Sequence, residues 1–167
     1  DFINEELPLW AELNFPLLEG RENRFIAGLS MGGYGAMRHG LANPGRYAAV
    51  GAFSGALDII GLSDILKTIP DMRNIIDYDS LFGGIENIKG TDNDLYALAD
   101  KCRKENRELP KIYITCGTED AICIAMDREF KDALTDKGYD VTYFEMPGVH
   151  EWKVWNESIR RFMELIS

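Results

Sequence analysis

The sequence is short of positive charge and of long hydrophobic runs. It contains 18 Lys and Arg against 28 Asp and Glu, a formal net charge of −10, and its basic residues form no block. We therefore expect no nucleic-acid partner and no anionic membrane surface, because both bind clustered positive charge. No apolar run approaches the roughly 18 residues of a membrane-spanning helix, and the N-terminus lacks the basic-then-apolar pattern of a signal peptide. The negative net charge fits a neutral or weakly charged small-molecule substrate better than these polyanionic partners.

Cysteine is also scarce. The chain has three cysteines, Cys102, Cys116 and Cys123. Their number is odd, and their spacing is not that of metal ligands. They predict reduced core thiols and a cytoplasmic protein, and nothing in the sequence implies a metal or an organic cofactor. The chain begins at Asp1 rather than at Met, which indicates a piece of something longer and leaves secretion open.

The stretch 24–35, which reads RFIAGLSMGGYG, carries the strongest chemical signal. It predicts a strand, a sharp turn at Ser30 and the start of a helix. Side chains at Gly28 and Gly32 would collide across so tight a turn, so the G-x-S-x-G spacing reflects a steric requirement for an exposed nucleophile. The N–H of Met31, at the helix start, would then face a developing oxyanion. The alternative is a Gly-rich turn whose serine only caps the helix.

The length of 167 residues and the 46% of hydrophobic residues suit a single domain, 1–167. Strands are predicted at 24–29, 47–53, 111–116 and 140–146, and helices at 6–15, 31–42, 95–102, 122–137 and 152–166. This alternation indicates an α/β fold in which helices cover both faces of a mostly parallel sheet, in three layers. In the last helix the apolar spacing predicts a buried face formed by Trp152, Trp155, Ile159, Phe162, Met163 and Ile166.

The segment 54–92 departs from this alternation and is predicted to be an irregular insertion. It is too apolar for a plain surface loop. It either walls a pocket over the strand ends or packs as an ordinary part of the core, and the sequence leaves both alternatives open.

Three chemically suitable residues follow predicted strands, at the edge where the loops of a parallel sheet converge. Ser30 ends the first strand, Asp120 follows the third and His150 follows the fourth. The only other histidine, His39, lies nine residues beyond Ser30 in the helix that follows it, about 13 Å from the serine hydroxyl. We therefore expect His150 to be the base and His39 to be a helix-surface residue. Either Asp120 or Glu119 could orient the imidazole.

Three segments resemble the α/β-hydrolases known as the putative esterase family, which includes tributyrin esterases, S-formylglutathione hydrolases, and acetyl xylan and feruloyl esterases. They read GLSMGGYGA at 28–36, CGTED at 116–120 and GVHEW at 148–152, and the similarity spans nearly the whole chain. The resemblance implies a serine carboxylester hydrolase for short-chain, acetyl or aryl esters, with Ser30 as nucleophile and His150 as base. It favours Asp120 over Glu119 as the acid.

The same resemblance places Ser54 and Leu57 near the substrate pocket. Trp152, two residues after the expected base, could stack on an aromatic acid or a sugar. Two other functions stay open: an acyltransferase of the mycolyltransferase type, and a non-catalytic hydrolase-like subunit.

Strands that precede the nucleophile strand in this family, and a loop that completes its oxyanion hole, have no counterpart in the sequence. The resemblance therefore implies the C-terminal part of such an enzyme. The strand 24–29 is apolar throughout, and only 47–53 is available to pair with it. Because an unguarded apolar edge pairs readily with another chain, we predict that a strand from outside this sequence covers it. That strand would come from an N-terminal segment of the same protein or from another chain, including a second copy in a homo-oligomer.

Overall fold

The computed structural model describes residues 2–72, 75–105 and 108–167. Its parallel strands are β1 (Phe25–Leu29), β2 (Ala49–Phe53), β3 (Lys111–Gly117) and β4 (Val141–Met146), in that spatial order. Its helices are α1 (Leu7–Asn14), α2 (Met31–Ala42), α3 (Ile59–Thr68), α4 (Tyr78–Phe82), α5 (Leu95–Lys104), α6 (Ile124–Asp136) and α7 (Trp152–Ile166). The α/β class is confirmed, and each strand begins within two residues of its predicted position. None of the helices in the described parts has the length and apolar character needed to cross a bilayer.

Every residue of β2 is buried, which shows that both faces of the sheet are covered. Val50 and Ala52 pack into the larger core cluster, which lies beneath α2, α5 and α6. Ala49 and Phe53 point to the opposite face and pack with Phe162 of α7. This alternation follows from the two-residue period of a strand and gives the three layers that the sequence predicted.

The segment 54–92 is more regular than predicted. Asp58 caps α3 with its carboxylate, and Leu62 and Leu66 of that helix are buried in the larger core cluster. The irregular insertion was therefore a wrong prediction for Ile59–Thr68, where the apolar spacing is helical and a capping residue precedes it. These side chains pack in the ordinary way rather than wall a pocket.

The helix α7 buries a different face from the one predicted. Its buried side chains are Val154, Trp155, Ser158 and Phe162. Trp152, Ile159 and Met163 are instead 66%, 40% and 56% exposed. The prediction was wrong for these three because the sheet covers only one side of the helix, and apolar residues at helical spacing occur on both sides.

His39 is more than a surface residue of α2. It is half-buried, and its Nδ1 atom lies 2.8 Å from Nδ2 of Asn4, a buried residue in the helical turn Phe2–Glu6. Burial, and the nearby charge of Arg38, lower the pKa of His39. Its imidazole therefore accepts a hydrogen bond that ties the N-terminal turn to α2.

The outer edge of β1 faces an open groove. Only β2 pairs with β1 among the described residues. The groove has a volume of about 1050 Å³, and its lining includes Leu7, Leu17, Leu18 and Ile26. The pairing of this edge with a strand from outside the sequence stays a prediction.

Candidate active site

The turn between β1 and α2 holds Ser30 in a strained conformation, with φ of 53° and ψ of −123°. A non-glycine residue rarely adopts a positive φ, and such strain persists where neighbouring groups impose it. The N–H of Ser30 donates to the carbonyl of Phe53 at 3.0 Å, and its carbonyl accepts from Gly33 N–H at 3.0 Å. Its side chain forms no capping bond to α2. The alternative of a simple helix-capping serine is therefore wrong.

The two glycines of the motif differ in what surrounds them. A Cβ atom at Gly28 would lie 2.2 Å from the carbonyl oxygen of Gly32, so no side chain fits there. A Cβ atom at Gly32 would meet nothing within 4 Å. The steric argument from sequence is confirmed for Gly28 and wrong for Gly32, because Gly32 faces the groove beside β1.

The structure brings Ser30, His150 and Asp120 into one hydrogen-bonded series. His150 Nε2 lies 3.0 Å from Ser30 Oγ, and His150 Nδ1 lies 2.8 Å from Asp120 Oδ2. Because a carboxylate can only accept a hydrogen bond, we assign the ring proton of His150 to Nδ1, the atom that faces Asp120. That assignment leaves Nε2 free to accept the serine proton.

The Asp120 side chain is fully buried but remains ionised. Burial alone would raise its pKa, but the hydrogen bond and the charge of His150, the Cys123 N–H and the nearby Ser54 side chain lower the pKa below its ordinary value. The N–H groups of Ile122 and Cys123 each donate to Oδ1 at 3.1 Å. Hydrogen bonds to the charged form favour that form, so the turn after β3 is built to hold a carboxylate.

Glu119, the other acid that the sequence allowed, binds elsewhere. Its carboxylate accepts a hydrogen bond from Gly148 N–H, and its own N–H donates to the Gly148 carbonyl at 3.0 Å. The first of these bonds lowers the pKa of Glu119. Glu119 thus holds the turn that carries His150, and Asp120 contacts the imidazole itself.

The comparisons with known proteins identify the family of this chain. Residues 1–163 match the model of the family described as "Putative esterase". The chain belongs to this esterase family. It is 36% identical over 171 residues to an acetyl esterase of Caldicellulosiruptor saccharolyticus, covering 100% of this chain and 63% of the relative.

Two solved structures from Staphylococcus aureus are similar to the esterase-family chain. An S-formylglutathione hydrolase is 28% identical, with a TM-score of 0.82, and covers 96% of this chain and 61% of its own. The fluorophosphonate-binding serine hydrolase F is 29% identical, with a TM-score of 0.83, and covers 96% and 60%. The chain thus spans about three fifths of the length of these relatives.

Ser54 and Leu57 lie inside the esterase-family chain rather than at its surface. They are 0% and 1% exposed. The Ser54 hydroxyl accepts a hydrogen bond from the Cys116 thiol at 3.8 Å, and the Ser54 side chain helps to lower the pKa of Asp120. Neither side chain is therefore exposed to a substrate in this structure, and the substrate-pocket role that the resemblance gave them stays a prediction. Nothing local in the sequence signals the effect of Ser54 on Asp120.

Two tryptophans stand beside the imidazole. The ring of Trp155 meets that of His150 edge-on, with centroids 4.9 Å apart, and Trp152 meets Trp155 in the same way at 5.2 Å. Trp152 is largely exposed, so it is available to a substrate. The sequence predicted only core packing for Trp155 and gave no signal of its contact with His150.

Two members of the hydrogen-bonded series, together with Cys123, could be mistaken for a metal centre. Asp120, Cys123 and His150 offer three ligand atoms within 4.8 Å of one another. However, Asp120 and His150 bind each other at 2.8 Å, and burial raises the pKa of the Cys123 thiol, which opposes formation of the thiolate that a metal binds. The arrangement suits proton transfer.

Proposed function

We propose that this protein is a serine carboxylester hydrolase. The observation that carries the proposal is the hydrogen-bonded series from Ser30 through His150 to Asp120, in which each member follows a different strand. The strained turn at Ser30 and the chain order Ser, Asp, His are those of an α/β-hydrolase.

The proposed reaction has two halves. As Ser30 Oγ attacks the ester carbonyl, His150 Nε2 takes the serine proton, and the ionised Asp120 stabilises the resulting imidazolium. The tetrahedral intermediate collapses, and the leaving alcohol takes the proton from His150. Water then attacks the acyl-serine with His150 again as base, which releases the carboxylic acid and restores the serine.

We assign one oxyanion donor to the backbone N–H of Met31. Met31 begins α2, and the first N–H groups of a helix have no partner within it. This N–H therefore stands next to the attacking serine with the positive end of the helix dipole behind it. Such a donor contributes about 10²–10³ to kcat.

We propose an ester with a short acyl group, acetyl above all, as the substrate. The relative from Caldicellulosiruptor saccharolyticus is named an acetyl esterase. The exposed ring of Trp152 next to Trp155 would contact the apolar or sugar part of such an ester.

We propose further that a strand from outside this sequence covers the outer edge of β1. The open groove beside β1 and the apolar side chains that line it support this, as does the length of the relatives. The covering segment would bring the second oxyanion donor. An N-terminal segment, a different chain or a second copy would each satisfy the edge.

A fluorophosphonate probe tests the proposal. We expect the intact protein, defined as this chain together with the proposed segment that covers β1, to be labelled at Ser30. We expect Ser30→Ala to lose both labelling and hydrolysis of p-nitrophenyl acetate. A folded Ser30→Ala protein with full activity would overturn the assignment. A panel of acetyl, short-chain and feruloyl esters, run with a competing alcohol, reports the acyl group and separates hydrolysis from acyl transfer.

A further inference from the structure

Asp127, near the start of α6, is a fully buried acid with no part in the steps above. Its Oδ2 atom accepts a hydrogen bond from Gly55 N–H at 3.2 Å. Its Oδ1 atom is buried and has no hydrogen-bond partner among the described residues. A charged carboxylate with a single donor is costly in such a place, so the charge state of Asp127 needs a physical account.

The surroundings favour the neutral form of Asp127. Burial raises its pKa well above the ordinary range, and the negative charge of Asp120 raises it further, while Gly55 N–H and the Cys116 thiol oppose the rise only in part. Among the residues that the structure describes, the titratable side chains that interact with it carry no positive charge; they are Tyr96 on α5, Cys116 on β3, Asp120 and Cys123 after β3, and Tyr143 on β4.

The turn 54–56, which follows β2, contacts both ends of the catalytic series. The side chain of Ser54 interacts with the carboxylate of Asp120 and lowers its pKa. The N–H of Ala56 donates to the carbonyl of Ser30 at 3.1 Å. A movement of this turn would therefore change the positions of the acid and the nucleophile together.

The conformation of the turn depends on outside contacts. Ser54 has a φ of 45°, which a serine adopts only where its neighbours impose it. On one side, the Thr115 carbonyl accepts a hydrogen bond from the Ser54 N–H at 2.7 Å. On the other side, Asp127 holds the next N–H, that of Gly55.

We propose that Asp127 is a positioning residue, which fixes the turn 54–56 through the Gly55 N–H and thereby fixes the placement of Asp120 relative to Ser30. This inference rests on the proposed function, because it gives Asp127 a part in the same reaction. An asparagine would fill the same volume and accept the same hydrogen bond from Gly55. An ionised Asp127 would instead repel the charge that Asp120 needs.

The test compares Asp127→Asn with Asp127→Ala in the intact protein, with Asp132→Ala, an exposed change on the same helix, as control. We expect Asp127→Asn to keep kcat and KM within about twofold. We expect Asp127→Ala to lower kcat about ten- to a hundredfold and to leave KM unchanged, because the buried side chain does not reach the substrate. The rate of fluorophosphonate labelling should fall in parallel. Wild-type kcat in Asp127→Ala would overturn the proposal.

The charge state of Asp127 can be measured separately, by the dependence of the melting temperature on pH. This measurement is still decisive if Asp127→Ala does not fold. A raised folded pKa costs the wild type stability as pH rises above about 3.9, the ordinary pKa of an aspartate. Asparagine has no such cost, so the melting temperature of Asp127→Asn should exceed that of the wild type by a margin that grows with pH. A margin that shrinks or reverses would show an ionised Asp127 and overturn the proposal.

These outcomes separate the two proposals. If wild-type Ser30 is not labelled, the proposed function fails. If the wild type is labelled and Asp127→Ala is labelled at the same rate, only the role of Asp127 fails.

Discussion

His150 Nε2 lies 3.0 Å from Ser30 Oγ although 120 positions separate the two residues. Their strands, β4 and β1, are the opposite edges of the four-stranded sheet, about 14 Å apart at the usual strand spacing. The turn after β4 must therefore cross the ends of β3 and β2. Its contact with the turn after β3, where Glu119 and Gly148 bond to each other, directs it across.

Gly117→Ala should disrupt this crossing. A Cβ atom at Gly117 would lie 2.3 Å from the Gly148 carbonyl oxygen, so the two turns would separate and His150 would move away from Ser30. A displacement of about 1 Å is enough for roughly a hundredfold loss in kcat, which steady-state hydrolysis of p-nitrophenyl acetate measures. Gly45→Ala is the matched control, because a Cβ atom there meets nothing within 4 Å. Equal activity of the two variants would contradict the prediction.

Asp120→Asn should lower kcat by about 10⁴, because the amide no longer orients and stabilises the imidazolium. It should also change the dependence of stability on pH. The folded pKa of Asp120 lies below its ordinary value, so its contribution to stability is present above about pH 4 and is lost as pH falls through the folded pKa. The variant should melt below the wild type at neutral pH, and the gap should close in acid. A gap that is constant with pH would count against an ionised Asp120.

Trp155 should tolerate phenylalanine but not alanine. Its Nε1 atom is buried and unpartnered among the described residues, so Trp155→Phe removes a polar group that is not satisfied and keeps a ring near His150. Trp155→Ala leaves a cavity, and we expect about 3–5 kcal/mol of destabilisation in urea titrations together with a lower kcat. A Trp155→Ala protein with wild-type kcat would show that the ring does not steady the imidazole.

The chain of 167 residues, expressed alone, should hydrolyse p-nitrophenyl acetate about 10²–10³ times more slowly than the intact protein. The expected cause is the absence of the second oxyanion donor. The bare edge of β1 should also make it poorly soluble and prone to self-association, which light scattering measures. Full activity in a monomer would show that no covering strand is needed. No activity in the intact protein would favour the non-catalytic alternative.

Local patterns in the sequence determined much of this protein. The periods of strand and helix placed all four strands and predicted an α/β fold, because side-chain direction repeats every two or about 3.6 residues whatever the tertiary context. The bend at Ser30 was also readable, since the clash at Gly28 involves atoms only four residues away. With two histidines in the chain, the base followed by elimination.

The tertiary structure shows that Asp120 rather than Glu119 contacts the imidazole, a choice that the residues by themselves left open and that only the family resemblance favoured. The burial of Ser54 and the covered face of α7 were also visible only in the tertiary structure. Each of these depends on what an element packs against, and residues far away in sequence supply that partner. Asp127 shows the limit: it was not singled out from the sequence, and the Gly55 N–H that donates to it is 72 positions away. Contacts of that range come from the way the strands assemble, because no local pattern encodes which turns will meet at the end of a sheet.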